Sequence, residues 1–219
     1  VIPRNIPDMK NRCDIPTDLQ QYVEEHIIPL YASFDKAHRE DHVRKVMEES
    51  LRLSTFFDVD VKMVYVIAAY HDVGLCEGRE IHHLASARIM RQDNRLKVWF
   101  SEEEIDIMCE AVEDHRASNR HVPRSVYGRI VAEADRCIEP YDILVRTIQY
   151  GLSHYPQLSK EEQYERYCEH LQEKYAEGGY LRLWVPQSSN AEGLAELRRI
   201  ISDSSKRRLL FDEIYQKEK

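Results

Sequence analysis

The chain has 219 residues, 42% of them hydrophobic and 32% charged, which is enough apolar material for a packed domain and too much for a disordered one. Its formal net charge of −8 sets a long-range field against nucleic acid, and the densest basic cluster, Lys206-Arg207-Arg208, reads as a solvated helix face. The 7 glycines form neither a G-x-x-x-x-G-K-[ST] nor a G-x-G-x-x-G loop, which excludes nucleotide binding by those devices.

Along the chain, apolar residues recur at spacings of three and four, and period-two alternation is almost absent, so the expected fold class is all-α. Residues 1–16 carry three prolines and read as an extended arm with no charged-then-apolar leader pattern. A first helix is expected from Thr17 or Asp18 to Ile28, ahead of Pro29, and a second from about Asp35 to Phe57. Asp60 is a good N-cap for a third, which is apolar on nearly every side from Val61 to Tyr70 and therefore belongs at the centre of a bundle. That run still contains Lys62 and falls far short of the roughly 20 residues a membrane span needs, so the chain is expected to be cytoplasmic, without a membrane partner.

Gly74 and Gly78 break the chain, and helices are expected at 81–92, at 102–116 behind a Ser101-x-x-Glu104 capping box, and at 124–138 behind Pro123. Pro140 opens a helix to about Tyr150, followed by helices at 159–176 and 190–217. The expected division is an arm at 1–16, a helical domain at 17–156 and a helical extension at 157–219 packed on that domain, with a homodimer interface as one use for the extension. The 5 cysteines are scattered and never paired as Cys-x-x-Cys, which argues against a disulfide framework or zinc ribbon. Cys109 and Cys137 fall in apolar helical patterns and read as packing residues.

Histidine placement carries the chemistry. His42 lies at the edge of the Val43, Val46, Met47, Leu51 stripe, and His115 continues the stripe of Ile105, Met108, Cys109 and Val112. Tyr127, Val131 and Asp135 follow at steps of four, and His71-Asp72 ends the most apolar helix. Each has a plain reading, a core histidine with a satisfied hydrogen bond or an aspartate in an ion pair. Together they form a set of inward imidazoles and carboxylates, and carboxylates so placed are costly unless neutralised, as one or two divalent cations would do.

The stretches Ala37-His38-Arg39-Glu40-Asp41-His42-Val43, Ala69-Tyr70-His71-Asp72-Val73-Gly74 and Ala132-Glu133-Ala134-Asp135-Arg136 resemble the HD superfamily in their order and spacing. His82-His83-Leu84-Ala85-Ser86-Ala87 and Ala111-Val112-Glu113-Asp114-His115-Arg116 are similar to its accessory stretches, so the resemblance covers roughly residues 30–150. It implies an HD-domain-like helical bundle with a helical C-terminal extension. It also implies metal ligation by His42, His71, Asp72 and Asp135; His82 and His115 match positions that hold a second metal in binuclear relatives, with Asp72 then bridging, and that help position phosphate or water in single-metal ones. Asp72, His82 and His115 are the implied catalytic group.

The implied activity is metal-dependent phosphohydrolysis (phosphomonoesterase, phosphodiesterase or pyrophosphohydrolase) on a small phosphorylated metabolite or nucleotide. Its cofactor is one or two divalent ions among Mn, Fe, Co, Ni, Mg and Zn. Arg116, Arg136, Lys45 and Arg146 are the candidate substrate-binding cations. A di-iron oxygenase on the same scaffold and a non-catalytic metal- or ligand-binding regulatory module are the alternatives. A catalytic Glu beside the His-Asp pair is present in some relatives; here Leu75 and Cys76 occupy those places, and Glu77 lies one step further.

Overall fold

The computed structural model describes residues 15–34, 40–119 and 121–219. Residues 1–14 of the N-terminal arm, Cys13 among them, His38, Arg39 and the expected start of the second helix at Asp35 lie outside the described residues. The described chain is helical throughout and contains no strand among the described residues. It forms two compact units, Val1–Asp135 and Arg136–Lys219.

The first unit opens with α1, Thr17–Tyr22, which continues into one wide turn at Val23–Ile27 and one tight turn at Ile28–Ser33. The expected first helix thus changes its winding where Pro29, without an N–H, enters it. Then come α2 (Glu40–Ser54), α3 (Val61–Tyr70), α4 (His82–Gln92), α5 (Glu102–Asp114) and α6 (Val126–Ala134). Asp60 accepts from the Lys62 N–H at 2.8 Å, as expected of an N-cap, and Ser101 and Glu104 make both halves of a capping box before α5.

Every residue of α3 from Met63 to Tyr70 is buried, and α2, α4, α5 and α6 all pack against it. The apolar stripes of α2, with Val43, Val46 and Met47, and of α5, with Ile105, Met108 and Val112, face this core. Each fully buried large side chain contributes about 1.5–3 kcal/mol, so α3 is the element around which the others are fixed.

Tyr31 pins the C-terminal end of α3. Its hydroxyl donates to the Ala69 carbonyl at 2.9 Å and accepts from the Asp72 N–H at 3.2 Å. A tight turn at Val73–Glu77 follows, and Gly74 donates its N–H to Ser86 Oγ at 2.8 Å. A Cβ on Gly74 would collide with the backbone of His82, Ala85 and Ser86, so only glycine lets this turn lie on the first coils of α4.

The second unit contains α7 (Pro140–His154), α8 (Lys160–Tyr175), α9 (Asn190–Ser202) and α10 (Ser204–Glu218), which pack on one another. Helix α7, expected within the first domain, has its helical neighbours here. The single helix expected at 190–217 is two. Asp203 leaves helical geometry at φ −90°, ψ 98° and caps α10 by accepting from the Lys206 N–H. The run Ser202-Asp203-Ser204-Ser205 is made of residues that compete for backbone hydrogen bonds and favour caps over helix interiors.

Helix α6 ends at Ala134, four residues before the expected end, and Cys137 is exposed at φ +33°. Its reading as a helical packing residue is thereby corrected. Cys109 is buried as expected, and Cys76, Cys109 and Cys168 are free thiols. No helix among the described residues is long and apolar enough to cross a membrane.

Candidate metal centre

Three of the candidate residues sit at helix C-caps. His71 follows α3, His115 follows α5 and Asp135 follows α6. The last carbonyls of a helix carry the negative end of its dipole, so three helices aim partial negative charge at one region. His42 comes from the first turns of α2, Asp72 from the turn after α3, and His82 is the first residue of α4. His71, Asp72 and His115 are buried, at 0%, 3% and 2% exposure, whereas His42, His82 and Asp135 are partly buried.

Asp72 divides the cluster in two. Its Oδ1 lies 3.3 Å from His82 Nε2 and 3.4 Å from His115 Nε2. Its Oδ2 lies 3.4 Å from His71 Nε2 and 3.8 Å from His42 Nε2. Asp135 Oδ1 completes the second half, 3.2 Å from His42 Nε2 and 3.8 Å from His71 Nε2. Ligand atoms bound about 2.1 Å from one first-row ion stand about 3.0–3.4 Å apart at octahedral or tetrahedral angles, close to the spacing seen here. His42, His71 and Asp72 could hold one ion, and Asp72, His82 and His115 another.

The tautomers favour the same reading. His71, His82 and His115 each place Nδ1 against a backbone carbonyl, of Ala68 at 2.7 Å, Arg79 at 2.7 Å and Val112 at 2.6 Å. A carbonyl only accepts, so Nδ1 carries the proton and Nε2 of the neutral ring is left with its lone pair. His71 Nε2 is buried and makes no hydrogen bond. The Nε2 atoms of His82 and His115 face each other at 3.1 Å, and two lone pairs at that distance repel unless a cation stands beside both. The donor set therefore fits first-row divalent metals, whose ligands are imidazole and carboxylate.

Charges inside the cluster are strongly coupled. Burial disfavours ionised Asp72, but the neighbouring His71 and His115 outweigh it and hold the carboxyl well below its usual range. Asp135 is likewise held low, burial being outweighed by His42 and His71. Burial opposes protonation of His71 and His42, yet the Asp72 and Asp135 carboxylates keep both above the ordinary histidine value. Burial and the nearby His115 push His82 the other way, below it.

A cavity of about 340 Å³ opens on this cluster, lined by Asp72, Leu75, Arg79, His82, His115, Arg116, Ala117 and Asp135. Of the expected substrate-binding cations, Arg116 is there, its Nη1 donating to the Glu80 carbonyl at 2.7 Å. Lys45 is exposed on α2 and is not among the lining residues, because it stands on the α2 face away from the buried Val43, Val46 and Met47 stripe. Arg136 and Arg146 belong to the second unit, where Arg136 lies over the Trp184 ring and Arg146 is exposed on α7. Glu77 is turned onto Arg88 in an exposed ion pair. Arg79 was missed by sequence reasoning. Its only signal was a cation one turn before the first residue of α4, visible once the loop's path is known.

No curated protein and no solved structure matches the chain. A family model described as HD domain matches residues 39–139, which contain all six clustered His and Asp residues. That family consists mostly of metal-dependent hydrolases. Residues 39–139 of the chain are thus an HD domain.

Proposed function

We infer that the chain is a metal-dependent phosphohydrolase acting on a small phosphorylated metabolite or nucleotide, with two divalent cations sharing Asp72. The observation that carries this reading is the division of the Asp72 carboxylate, one oxygen towards His42 and His71 and the other towards His82 and His115. When bound, the metal ions lower the pKa of water and polarise a phosphoryl oxygen.

The chain's own groups hold that chemistry in place. Backbone carbonyls fix the tautomers of His71, His82 and His115, so these three imidazoles are already oriented for ligation. Tyr31 holds the Asp72 backbone against the end of α3, and the three helix C-termini favour positive charge between them. Arg116 is held over the Glu80 carbonyl beside His115, where it can meet charge developing on a phosphoryl group.

The test is phosphate release from a panel of phosphomonoesters, phosphodiesters and nucleotides by chain loaded in turn with Mn, Fe, Co, Ni, Mg or Zn. Activity that requires metal and vanishes in Asp72→Ala supports the reading. Oxygen uptake by the iron-loaded chain without any phosphate release would replace it with oxygenase chemistry on the same ligands.

A further inference from the structure

The wall of the cavity on the His82 and His115 side is built differently from the metal cluster. Gly78 takes φ +108°, a backbone region that L side chains rarely adopt, and turns the chain so that Arg79, Glu80 and Ile81 run into α4. Two hydrogen bonds bind this loop to the site. The Arg79 carbonyl accepts from His82 Nδ1 at 2.7 Å, and the Glu80 carbonyl accepts from Arg116 Nη1 at 2.7 Å. Arg79 and Arg116 thus reach one cavity from two parts of the chain, and both line it beside His82 and His115.

Helix α4 begins at His82 without a side-chain cap, its preceding residue being Ile81. The positive end of its dipole is therefore next to the same two guanidiniums, opposite in sign to the three helix C-termini at the metal cluster.

We propose that Arg79 and Arg116 form an anion clamp that receives the terminal phosphate of a phosphomonoester, with Arg79 as a specificity-determining residue. The proposal rests on the phosphohydrolase reading and narrows its substrate class. Asp72 and Asp135 bring two negative charges to this cavity, fewer than the four positive charges of two divalent ions, so ligand and water are left to balance the rest. A terminal phosphate carries nearly two negative charges above its second pKa of about 6, against one for a phosphodiester. Guanidinium groups suit such a group because their paired N–H donors match two phosphate oxygens. The cavity volume, about 340 Å³, lies at the small end for ligand sites.

The experiment titrates inorganic phosphate into the manganese-loaded chain by calorimetry, at equal metal content verified by elemental analysis, and measures kcat and KM for a phosphomonoester and a phosphodiester. Arg79→Ala is expected to weaken phosphate binding about tenfold or more. KM for the monoester should rise by a similar factor while kcat changes about twofold or less, and Arg79→Lys should recover part of the loss. Arg79→Gln serves as the second variant should the alanine form lose metal. Unchanged phosphate affinity in Arg79→Ala and Arg79→Gln overturns the clamp, and so does equal turnover of diester and monoester by the unaltered chain. Weakened phosphate binding in a chain that hydrolyses no phosphoester would sink the hydrolase reading and leave the clamp standing.

Discussion

At the scale of single residues, Asp72 is the group on which both halves of the cluster depend, since each of its oxygens faces a different pair of imidazoles. Replacing His115 with Gln removes one donor from the His82 side only. The expected outcome is metal content falling from near two ions per chain to near one, read by elemental analysis, with helical circular dichroism unchanged. Asp72→Ala should lose both ions and lower phosphohydrolase activity by about a thousandfold or more, roughly 4 kcal/mol of transition-state stabilisation.

The protonation states give a second residue-scale expectation. His42 and His71 titrate above their ordinary value in the metal-free fold, so their contribution to stability is present below the unfolded pKa of about 6.5 and is lost as pH rises through the folded values. Asp72 and Asp135 titrate below theirs, so their contribution is present above about pH 4 and is lost as pH falls. The chelated chain should therefore lose melting temperature as pH rises above about 6.5 and as it falls below about 4, with His82, which titrates low, opposing the two raised histidines in part. The metal-loaded chain should show the opposite trend from pH 6 to 8, because ligands give up protons to bind metal. Parallel thermal melts with and without chelator check both signs.

At the scale of elements, the contact of the 73–77 turn with α4 decides whether His82 reaches Asp72. Gly74→Ala drives a Cβ into the backbone of His82, Ala85 and Ser86, and backbone cannot move aside as a flexible side chain can. A loss of about 3 kcal/mol is expected by denaturant unfolding, together with loss of the metal bound by His82 and His115.

The loop between α5 and α6 is held by another device. Asp114 is buried at 3% exposure and accepts from the Arg124 N–H at 2.6 Å and from its guanidinium. Arg124→Ala leaves that carboxylate without its cation. The expected cost is about 2 kcal/mol, below the full penalty of a broken buried pair because Arg124 is itself partly exposed. Urea midpoints of the variant and of the unaltered chain measure it.

For the whole molecule, the first unit ends with the last of its metal-cluster residues, Asp135, and the second unit carries none of them. Cations that bind the folded chain alone stabilise it by mass action, about 4 kcal/mol at a free concentration a thousand times Kd. Chelation should accordingly lower the melting temperature by several degrees while far-ultraviolet dichroism below the transition stays the same. Equal melting temperatures with and without chelator would show that the cluster is not loaded under the conditions used.

Most helices could be read from the residues alone, because apolar spacing and caps are local properties. Asp60, Ser101 with Glu104, and the uniformly apolar run from Val61 to Tyr70 each state their role within a few positions. The break at Asp203 and the early end of α6 were missed because helix ends are decided by a few competing hydrogen bonds of similar strength. Inward placement of His42, His115 and Asp135 followed from helical periodicity, and their order along the chain pointed to the superfamily.

What periodicity cannot express is direction in space. Which Asp72 oxygen faces which imidazole, the lone pairs of His82 and His115 at 3.1 Å, and the convergence of three helix C-termini depend on how distant segments cross. The same holds for the cations. Lys45, Arg116, Arg136 and Arg146 look alike as flexible charges in a sequence, and only the fold places Arg116 in the cavity with Arg79 beside it. Local chemistry determined which residues could bind metal; long-range packing around α3 decided how they meet.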